Sequence, residues 1–350
     1  AEAFGDFKGF GEYNRQNNTL GALLPQEITE FANAGIAAGM ASVNFADDPT
    51  KEYKGFYGAT SRERLRRFIA QDITLTVAAL GDLATISSVA EEVGKPAKIH
   101  IKIDTGMGRI GATPKDAPGI AAFIEKECAN IHLEGVFTHF PVSDVDPEST
   151  REQVDRFNLV VTAIEEAIGR KIEIVHSANS GAVLGAEYAW MDMVRPGIMV
   201  YGFYPDKQTP QSIPLKPGMS LFTQVSFVKE VTAGTGISYG HTWHAPQNTW
   251  IATLPVGYAD GFNRLFSNQG RVLINGRSYP VVGRVCMDQT MIDLGPETDV
   301  KVGDKVVLIG KSGDEEIAVD EWAQKLGTIT YEVTCQISPR VKRYFGKRVD

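Results

Sequence analysis

The sequence is poor in cysteine, in net positive charge and in long apolar runs. Its 350 residues include only Cys128, Cys286 and Cys335, which form no CxxC pair and no zinc-ligand spacing, so we expect a reducing compartment and no metal site. The formal net charge of −8 argues against a nucleic-acid partner, because nucleic-acid binders usually carry a basic face. With no bilayer-length apolar run and no recognisable signal peptide, the sequence predicts a cytoplasmic protein without a membrane partner.

Short apolar strands alternate with amphipathic helices through the first two thirds of the chain. Repeated β/α units predict a parallel sheet, and their number favours a (β/α)8 TIM-like barrel over an open sheet. A capping box at residues 60–63 predicts one helix start. The predicted strands lie at 39–43, 54–58, 73–77, 98–104, 133–139, 172–178 and 192–195.

A proline-rich stretch at 205–217 cannot be helix interior and marks a change in the pattern. Beyond it, β alternation predicts strands, an Asn275-Gly276 pair predicts a hairpin turn, and one helix is expected near 319–326. We therefore expect an α/β barrel over 1–214, with an atypical segment at 1–50, and a mainly β domain over 215–350. The predicted strands of the second domain lie at 221–228, 249–256, 271–274 and 305–309.

The run from Lys102 to Gly111 is the most informative stretch of the chain. A strand that carries an inward lysine ends in a glycine-rich turn, and the turn brings Arg109 to the strand end. Glycine permits positive φ and a close approach of the backbone to a ligand. Lys102, Asp104 and Arg109 form either a ligand site or a satisfied ion cluster in the core, and spacing alone leaves both interpretations open.

Other predicted strand ends carry polar groups. A hydroxyl followed by glycine at Ser180, and the turn after Arg195, offer N–H and O–H groups to a phosphate, which in barrels commonly binds at the late strands. Taken alone, His139 is typical of a satisfied core histidine and Ser180 of a helix N-cap. A tyrosine such as Tyr239, taken alone, is typical of an amphipathic core residue.

From about residue 58 onward, these segments together resemble the bacterial alanine racemases, which are pyridoxal-phosphate enzymes. The resemblance implies a barrel with a β domain, pyridoxal 5′-phosphate as cofactor, and a homodimer whose active sites borrow residues from the partner. It also implies two-base racemisation of L- and D-alanine on a cofactor aldimine, which supplies D-alanine for peptidoglycan. The matching segments are KIDTGMGRIG (102–111), FTHF (137–140), HSANSGA (176–182), DMVRPGIMVYG (192–202), GISYGHTW (236–243), PVGYADG (255–261), VGRVCMDQTMIDL (282–294) and GTITYEV (327–333).

The resemblance assigns roles around the cofactor. Arg195 would hydrogen-bond the pyridine nitrogen, and His139 would support the ring and the hydrogen bonds of Arg195. The groups that would hold the phosphate are the hydroxyls of Ser180 and Tyr331 and the backbone of Gly197 and Ile198.

Catalysis and substrate binding are assigned in the same way. Tyr239, supplied by the partner subunit, would be a catalytic base on one face of the substrate α-carbon. Arg109 would contact the substrate, as would Met287 and Asp288 from across the dimer interface. Lys102 stands where several family members carry a carbamate that bridges to the arginine, so it is a candidate for carbamylation.

The family motif Lys-x-x-x-Tyr-Gly-His-Gly, which carries the aldimine lysine, does not occur in residues 1–60. The nearest candidate is Lys8, and an incomplete first strand is one interpretation of this segment. Two hypotheses stay open. The chain is an active alanine racemase with Lys8 opposite Tyr239, or it is a homologue that binds pyridoxal phosphate or an amino acid with little or no turnover. A racemase for another small amino acid, such as serine, is a third alternative.

Overall fold

The computed structural model describes residues 61–344. Over that range the chain divides into two compact units. The first reaches Val200 and includes Asp206–Pro214, and the second comprises Tyr201–Pro205 and Leu215–Tyr344. Lys8, Thr60 and the strands predicted at 39–43 and 54–58 lie outside the described residues.

The first unit is a series of β/α repeats. Its strands pair in chain order, every pair is parallel, and a parallel bridge from His176 to Met193 adds the next segment. Where the sequence predicts a strand at 192–195, the described structure therefore has only this bridge. The elements are α1 Arg62–Ala70, β1 Leu75–Val77, α2 Leu83–Val93, β2 Ala97–Lys102, α3 Ala117–Glu127, β3 Ile131–Phe137, α4 Pro147–Ile168, β4 Ile174–His176 and α5 Ser180–Gly185.

Side-chain caps set where the helices of this unit begin. Ser61 caps α1 by accepting from Arg64 N at 3.3 Å, so the cap lies one residue after the start of the predicted box. Asp146 caps α4 by accepting from Ser149 N at 3.0 Å, and a proline in the first turn of α4 needs no backbone partner there. The apolar faces of the helices pack on the strands, whose isoleucines and valines form the core.

The second unit is mainly antiparallel β. Its elements are β5 Leu221–Gln224, β6 Phe227–Val231, β7 Gly236–Ile237, β8 Trp243–His244, β9 Thr249–Leu254, β10 Arg271–Ile274, β11 Arg277–Pro280, β12 Thr290–Gly295, β13 Lys305–Ser312, β14 Glu315–Ile317, α6 Val319–Leu326 and α7 Thr330–Cys335. One sheet has the order β11-β10-β13-β14 with β5 also on β13, a second has the order β12-β9-β6, and β7 pairs with β8.

Two details of this unit differ from the sequence predictions. The strand expected over 221–228 breaks at Val225 and Ser226, whose backbone N–H groups bond toward different sheets. Val225 N donates to Asp304 O, next to β13, and Ser226 N donates to Thr253 O in β9, both at 2.9 Å. A second helix, α7, follows α6, and its six residues are too few to show a periodic pattern. The hairpin is confirmed, because Asn275 and Gly276 have φ of 51° and 74°, as a type I′ turn requires.

Within residues 61–344, no helix combines the length and the apolar character that a membrane span requires.

Candidate active site

Parallel register aligns the carboxyl ends of three neighbouring strands. Lys102 of β2 pairs with Phe137 of β3, which pairs with His176 of β4, and all three side chains are buried. Residues in register on adjacent strands point to the same face of the sheet. A lysine, an aromatic ring and an imidazole therefore form one row inside the first unit, at the edge where barrel active sites lie.

The glycine-rich turn after β2 is held by an aspartate. Asp104 Oδ1 accepts from Gly106 N at 3.0 Å and from Gly108 N at 3.1 Å. These glycines have φ of 152° and 67°, a region that favours glycine. Ala112 N then donates to Lys102 O at 2.8 Å, so the turn closes back onto the end of its own strand.

The Lys102 side chain is buried, with only 1% of the residue exposed, and its Nζ donates to the carbonyl of Ile110. Burial, assisted by the positive charges of Arg109 and Arg195, lowers the pKa of Lys102 to about 8, and the carboxylate of Asp104 opposes this effect. Asp104 bonds to the turn rather than to Lys102 Nζ. This arrangement argues against the closed ion cluster that the sequence left open, while Arg109 itself is exposed.

Arg195 lies behind the same strand ends and is 6% exposed. Its Nη2 donates to Thr138 O at 2.7 Å and to Ser177 O at 3.0 Å, and lies 3.4 Å from His139 Nδ1. Burial, together with the charge of Arg195, lowers the pKa of His139 to about 3. His139 is therefore a neutral ring beside a fixed guanidinium at physiological pH.

Two buried histidines and a glutamate continue the hydrogen-bonded contacts from Arg195, and none of the three was predicted from the sequence to have a role. Arg195 Nη1 lies 2.7 Å from His176 Nδ1, His176 Nε2 lies 2.8 Å from His100 Nδ1, and His100 Nε2 lies 3.1 Å from Glu134 Oε2. The one available signal was the two-residue spacing from His100 to Lys102, which places both side chains on the same face of β2.

Ser180 connects the start of α5 to the turn after Arg195. Its Oγ accepts from Gly197 N at 2.7 Å and lies 3.5 Å from Met199 N. The helix N-cap is Asn179, whose side chain accepts from Ala182 N at 3.2 Å, so the N-cap interpretation of Ser180 is wrong. Asn179 leaves the Ser180 hydroxyl available to join the neighbouring turn.

The second unit presents the remaining predicted site residues. Tyr239 is 72% exposed and begins a tight turn in which Ser238 has φ of 64°, and Ser238 Oγ donates to Arg284 O at 2.6 Å. Met287 and Tyr331 are also exposed. Asp288, next to Met287, pairs with Arg340.

The predicted site residues therefore fall into two sets. The first unit brings together Lys102, Arg109, His139, Ser180, Arg195, Gly197 and Ile198. The second unit holds Tyr239, Met287, Asp288 and Tyr331. Across residues 61–344, no histidine, cysteine and carboxylate side chains cluster as a metal site would require.

Comparison with known families covers both units. A family model described as alanine racemase, N-terminal domain, matches residues 28–205, and one described as alanine racemase, C-terminal domain, matches residues 218–345. An alanine racemase of Cutibacterium acnes is 48% identical over 279 residues, 79% of this chain and 74% of that protein. One of Halothermothrix orenii is 40% identical over 333 residues, 94% of this chain and 83% of that protein.

Solved structures agree with the sequence matches. An alanine racemase of Clostridium difficile superposes with a TM-score of 0.75 at 40% identity and covers 81% of this chain and 74% of its own. One from a Streptomyces lavendulae strain that produces D-cycloserine superposes with a TM-score of 0.79 at 32% identity, over 93% and 82%. The chain belongs to the alanine racemase family. The predicted barrel followed by a mainly β domain is confirmed.

Proposed function

We propose that this protein is an alanine racemase that interconverts L- and D-alanine with pyridoxal 5′-phosphate as its cofactor. The observation that carries the proposal is the buried Arg195, fixed at the strand ends by two carbonyls and His176, in a chain whose relatives are named for this activity. The proposal includes the division into a cofactor-binding barrel over 1–214 and a β domain over 215–350. The cytoplasmic location and the supply of D-alanine for peptidoglycan stay predictions.

The residues present fit a phosphorylated ring. An added Cβ at Gly197 would meet only Ser180 Oγ, at 3.6 Å, among the described atoms outside its chain neighbours. Space is therefore open beside a hydroxyl and a backbone turn, the kind of place where anions bind. Ser180, Gly197 and Ile198 would hold the phosphate there, with Tyr331 as a further hydroxyl.

Pyridoxal phosphate, when bound, supplies an electron-withdrawing ring that stabilises negative charge at the substrate α-carbon. Arg195 would donate a hydrogen bond to the pyridine nitrogen. Because a guanidinium stays protonated at any working pH, Arg195 cannot hand over its proton, so the nitrogen stays uncharged. By leaving the nitrogen uncharged, Arg195 would make the ring a weaker electron acceptor, which would limit wrongly placed protonation and the side reaction of transamination.

Tyr239 would take the α-proton on one face of the substrate and return one to it. Its exposure supports the proposal that it acts in the site of a partner subunit, because a base must reach the reacting carbon. Arg109, Met287 and Asp288 would contact alanine. His139, being neutral, would support the cofactor ring and Arg195 as a dipole rather than as a cation. Lys8, the candidate for the aldimine lysine and for the base opposite Tyr239, lies outside the described residues.

Cofactor uptake and turnover by the full chain test this proposal. Protein loaded with pyridoxal 5′-phosphate should show a visible band that borohydride removes, and it should racemise alanine faster than serine. Lys8→Ala should lose the borohydride-sensitive band, whereas the control Lys54→Ala should keep it. Protein that never takes up the cofactor contradicts the proposal, as does loaded protein that leaves both alanine enantiomers unchanged. A borohydride-sensitive band that survives in Lys8→Ala would show that Lys8 is not the lysine that binds the cofactor, but it would not contradict the proposed function.

A further inference from the structure

The side chains behind Arg195 form a hydrogen-bonded series in which each proton has only one consistent place. A guanidinium has donors and no acceptor, so His176 Nδ1, at 2.7 Å, must accept. A neutral imidazole with an unprotonated Nδ1 carries its proton on Nε2. His176 Nε2 therefore donates to His100 Nδ1 at 2.8 Å, and by the same rule His100 Nε2 donates to Glu134 at 3.1 Å.

Burial makes this order strict. His100 and His176 are almost completely buried, and burial, with the charge of Arg195, holds the pKa of His176 well below its ordinary range. An imidazolium at His176 would turn its Nδ1–H toward the guanidinium, which also offers only protons. A carboxylate is the acceptor that suits the far end, since it can accept but not donate when ionised.

The backbone is shaped to deliver that carboxylate. Opposite Ile99 and His100 stand Leu133 and Gly135, so Glu134 is the extra residue of a β-bulge in β3. Bulges re-aim a side chain, and Thr74 Oγ1 donates to the same oxygen, Glu134 Oε2, at 2.8 Å.

We propose that Glu134 is a positioning residue for Arg195, acting through His100 and His176. The carboxylate holds both rings in the Nε2–H form, which keeps His176 Nδ1 free to accept from Arg195 and so fixes the guanidinium that would hydrogen-bond the cofactor. This inference rests on the proposed function for its catalytic consequence, but the proton positions are a property of the chain itself.

Nitrogen-15 NMR of the histidine rings tests the proton positions directly. In the protein with pyridoxal 5′-phosphate added, His100 and His176 should both show a protonated Nε2 and a bare Nδ1, and the spectrum of His176, whose pKa lies well below its ordinary range, should be unchanged between pH 6 and pH 8. Glu134→Gln keeps the shape but offers an amide N–H as well as an oxygen. We expect it to give mixed ring tautomers at both histidines.

Lys98→Gln is the matched control. Lys98 Nζ lies 3.5 Å from Glu134 Oε1, so both substitutions break this ion pair, but only Glu134→Gln removes the carboxylate from His100. The control should keep the wild-type ring spectra. In racemisation, Glu134→Gln should lower kcat about tenfold, the size of one lost hydrogen bond to a charged group. The KM for alanine should stay unchanged, because in this proposal Glu134 acts through His100 and His176 and not on the substrate.

The outcomes separate this inference from the proposed function. A bare Nε2 or an imidazolium at either wild-type ring overturns the inference, and so do unchanged ring spectra in Glu134→Gln or altered spectra in Lys98→Gln. Normal kcat in a variant whose rings have changed overturns the step from Glu134 to Arg195. Wild-type protein that does not racemise alanine contradicts the proposed function, whereas the ring spectra still decide the proton order.

Discussion

The imidazole of His100 occupies the space next to Gly135 that a side chain would need: a Cβ at position 135 would lie 2.6 Å from His100 Nε2. The two residues are paired across β3 and β2, and the imidazole lies over the place where a side chain would be. On the other side, the same Cβ would lie 2.6 Å from Ile174 O, a backbone atom that cannot move alone. Glycine is therefore needed at this point of the strand for the histidine series to form.

Gly135→Ala should destabilise the first unit by about 1–3 kcal/mol, the usual cost of forcing extra volume into a packed core. Because His100 is the movable neighbour, the substitution should also disturb its bonds to His176 and Glu134. Urea unfolding measures the first effect, and the histidine ring spectra measure the second.

Gly119→Ala is the matched control for this change. A Cβ at Gly119 would meet nothing within 4 Å, and the residue lies inside α3, where alanine is favoured over glycine by about 0.5–1 kcal/mol. We expect the control to raise the free energy of unfolding. If the two substitutions change the free energy of unfolding equally, the close approach of His100 is not the reason that position 135 requires glycine.

Glu134 should make the stability of the protein depend on acid. The hydrogen bond from His100, helped by the hydrogen bond from Thr74 and by the charge of Lys98, lowers the pKa of Glu134 to about 2 even though burial opposes this. A carboxyl with a depressed pKa stabilises the folded state above its unfolded pKa and loses that contribution as the pH falls through the folded value. The relevant window runs from about 4.5 down to about 2.

The difference in unfolding free energy between wild type and Glu134→Gln should therefore shrink by about 2 kcal/mol from pH 7 to pH 3. Urea titrations at the two pH values measure it. Glu125→Gln, which removes a carboxylate paired with Arg170, is the comparison for a partly exposed ion pair. The difference in unfolding free energy between wild type and this variant should change by less than about 1 kcal/mol between the two pH values. A difference between wild type and Glu134→Gln that is equal at both pH values would show that the carboxyl is not held ionised by its partners.

The histidine series shows which part of the site the sequence could not predict. Recognisable breaks at predicted strand ends located Ser180 and Arg195, and the resemblance to the alanine racemases located Tyr239. His100 and Glu134 stand inside strands, and their contacts depend on parallel register and on a bulge that turns one residue toward a different face. Neither feature changes the apolar pattern from which the strands were predicted.

The same limit explains the differences in the fold. The alternation over 221–228 is continuous in sequence, and only the partners of Val225 and Ser226 reveal that two sheets share it. The parallel order of β1 to β4 was predictable, because strands separated by helices must cross over and pair in parallel.

Lys102 should react with carbon dioxide at neutral pH. Its pKa of about 8 leaves a substantial share of the amine neutral near pH 7.5, and only the neutral amine attacks CO2, forming a carbamate and releasing a proton. In buffer with carbon-13 bicarbonate, we expect one carbamate NMR signal that disappears in Lys102→Ala. Native mass spectrometry should show the added mass of one CO2.

Lys98 is the internal control for this reaction. Burial opposes its protonation, but the charges of Glu134 and Asp72 more than offset burial and raise its pKa, so it should stay an ammonium and form no carbamate. Lys98→Gln should therefore leave the signal unchanged. A signal that persists in Lys102→Ala would mean that another amine reacts, and no signal at saturating bicarbonate would show that the neutral amine cannot be reached.

Tyr239→Phe should abolish racemisation in both directions while keeping cofactor uptake. The two enantiomers of alanine have equal free energy, so the ratio of the two kcat/KM values cannot change, and turnover alone cannot show which base was lost. Exchange of the α-hydrogen in D2O can show which base was lost, because each base removes the proton from one enantiomer. We expect exchange with one enantiomer to disappear and exchange with the other to persist.

Tyr258→Phe is the control for this loss, because Tyr258 is also an exposed tyrosine of the second unit and has no assigned proton-transfer role. It should retain exchange with both enantiomers and most of the racemisation rate. Equal loss of exchange with both enantiomers in Tyr239→Phe would mean that the phenol positions the substrate rather than serving one face. Full racemisation in that variant would remove Tyr239 from the reaction altogether.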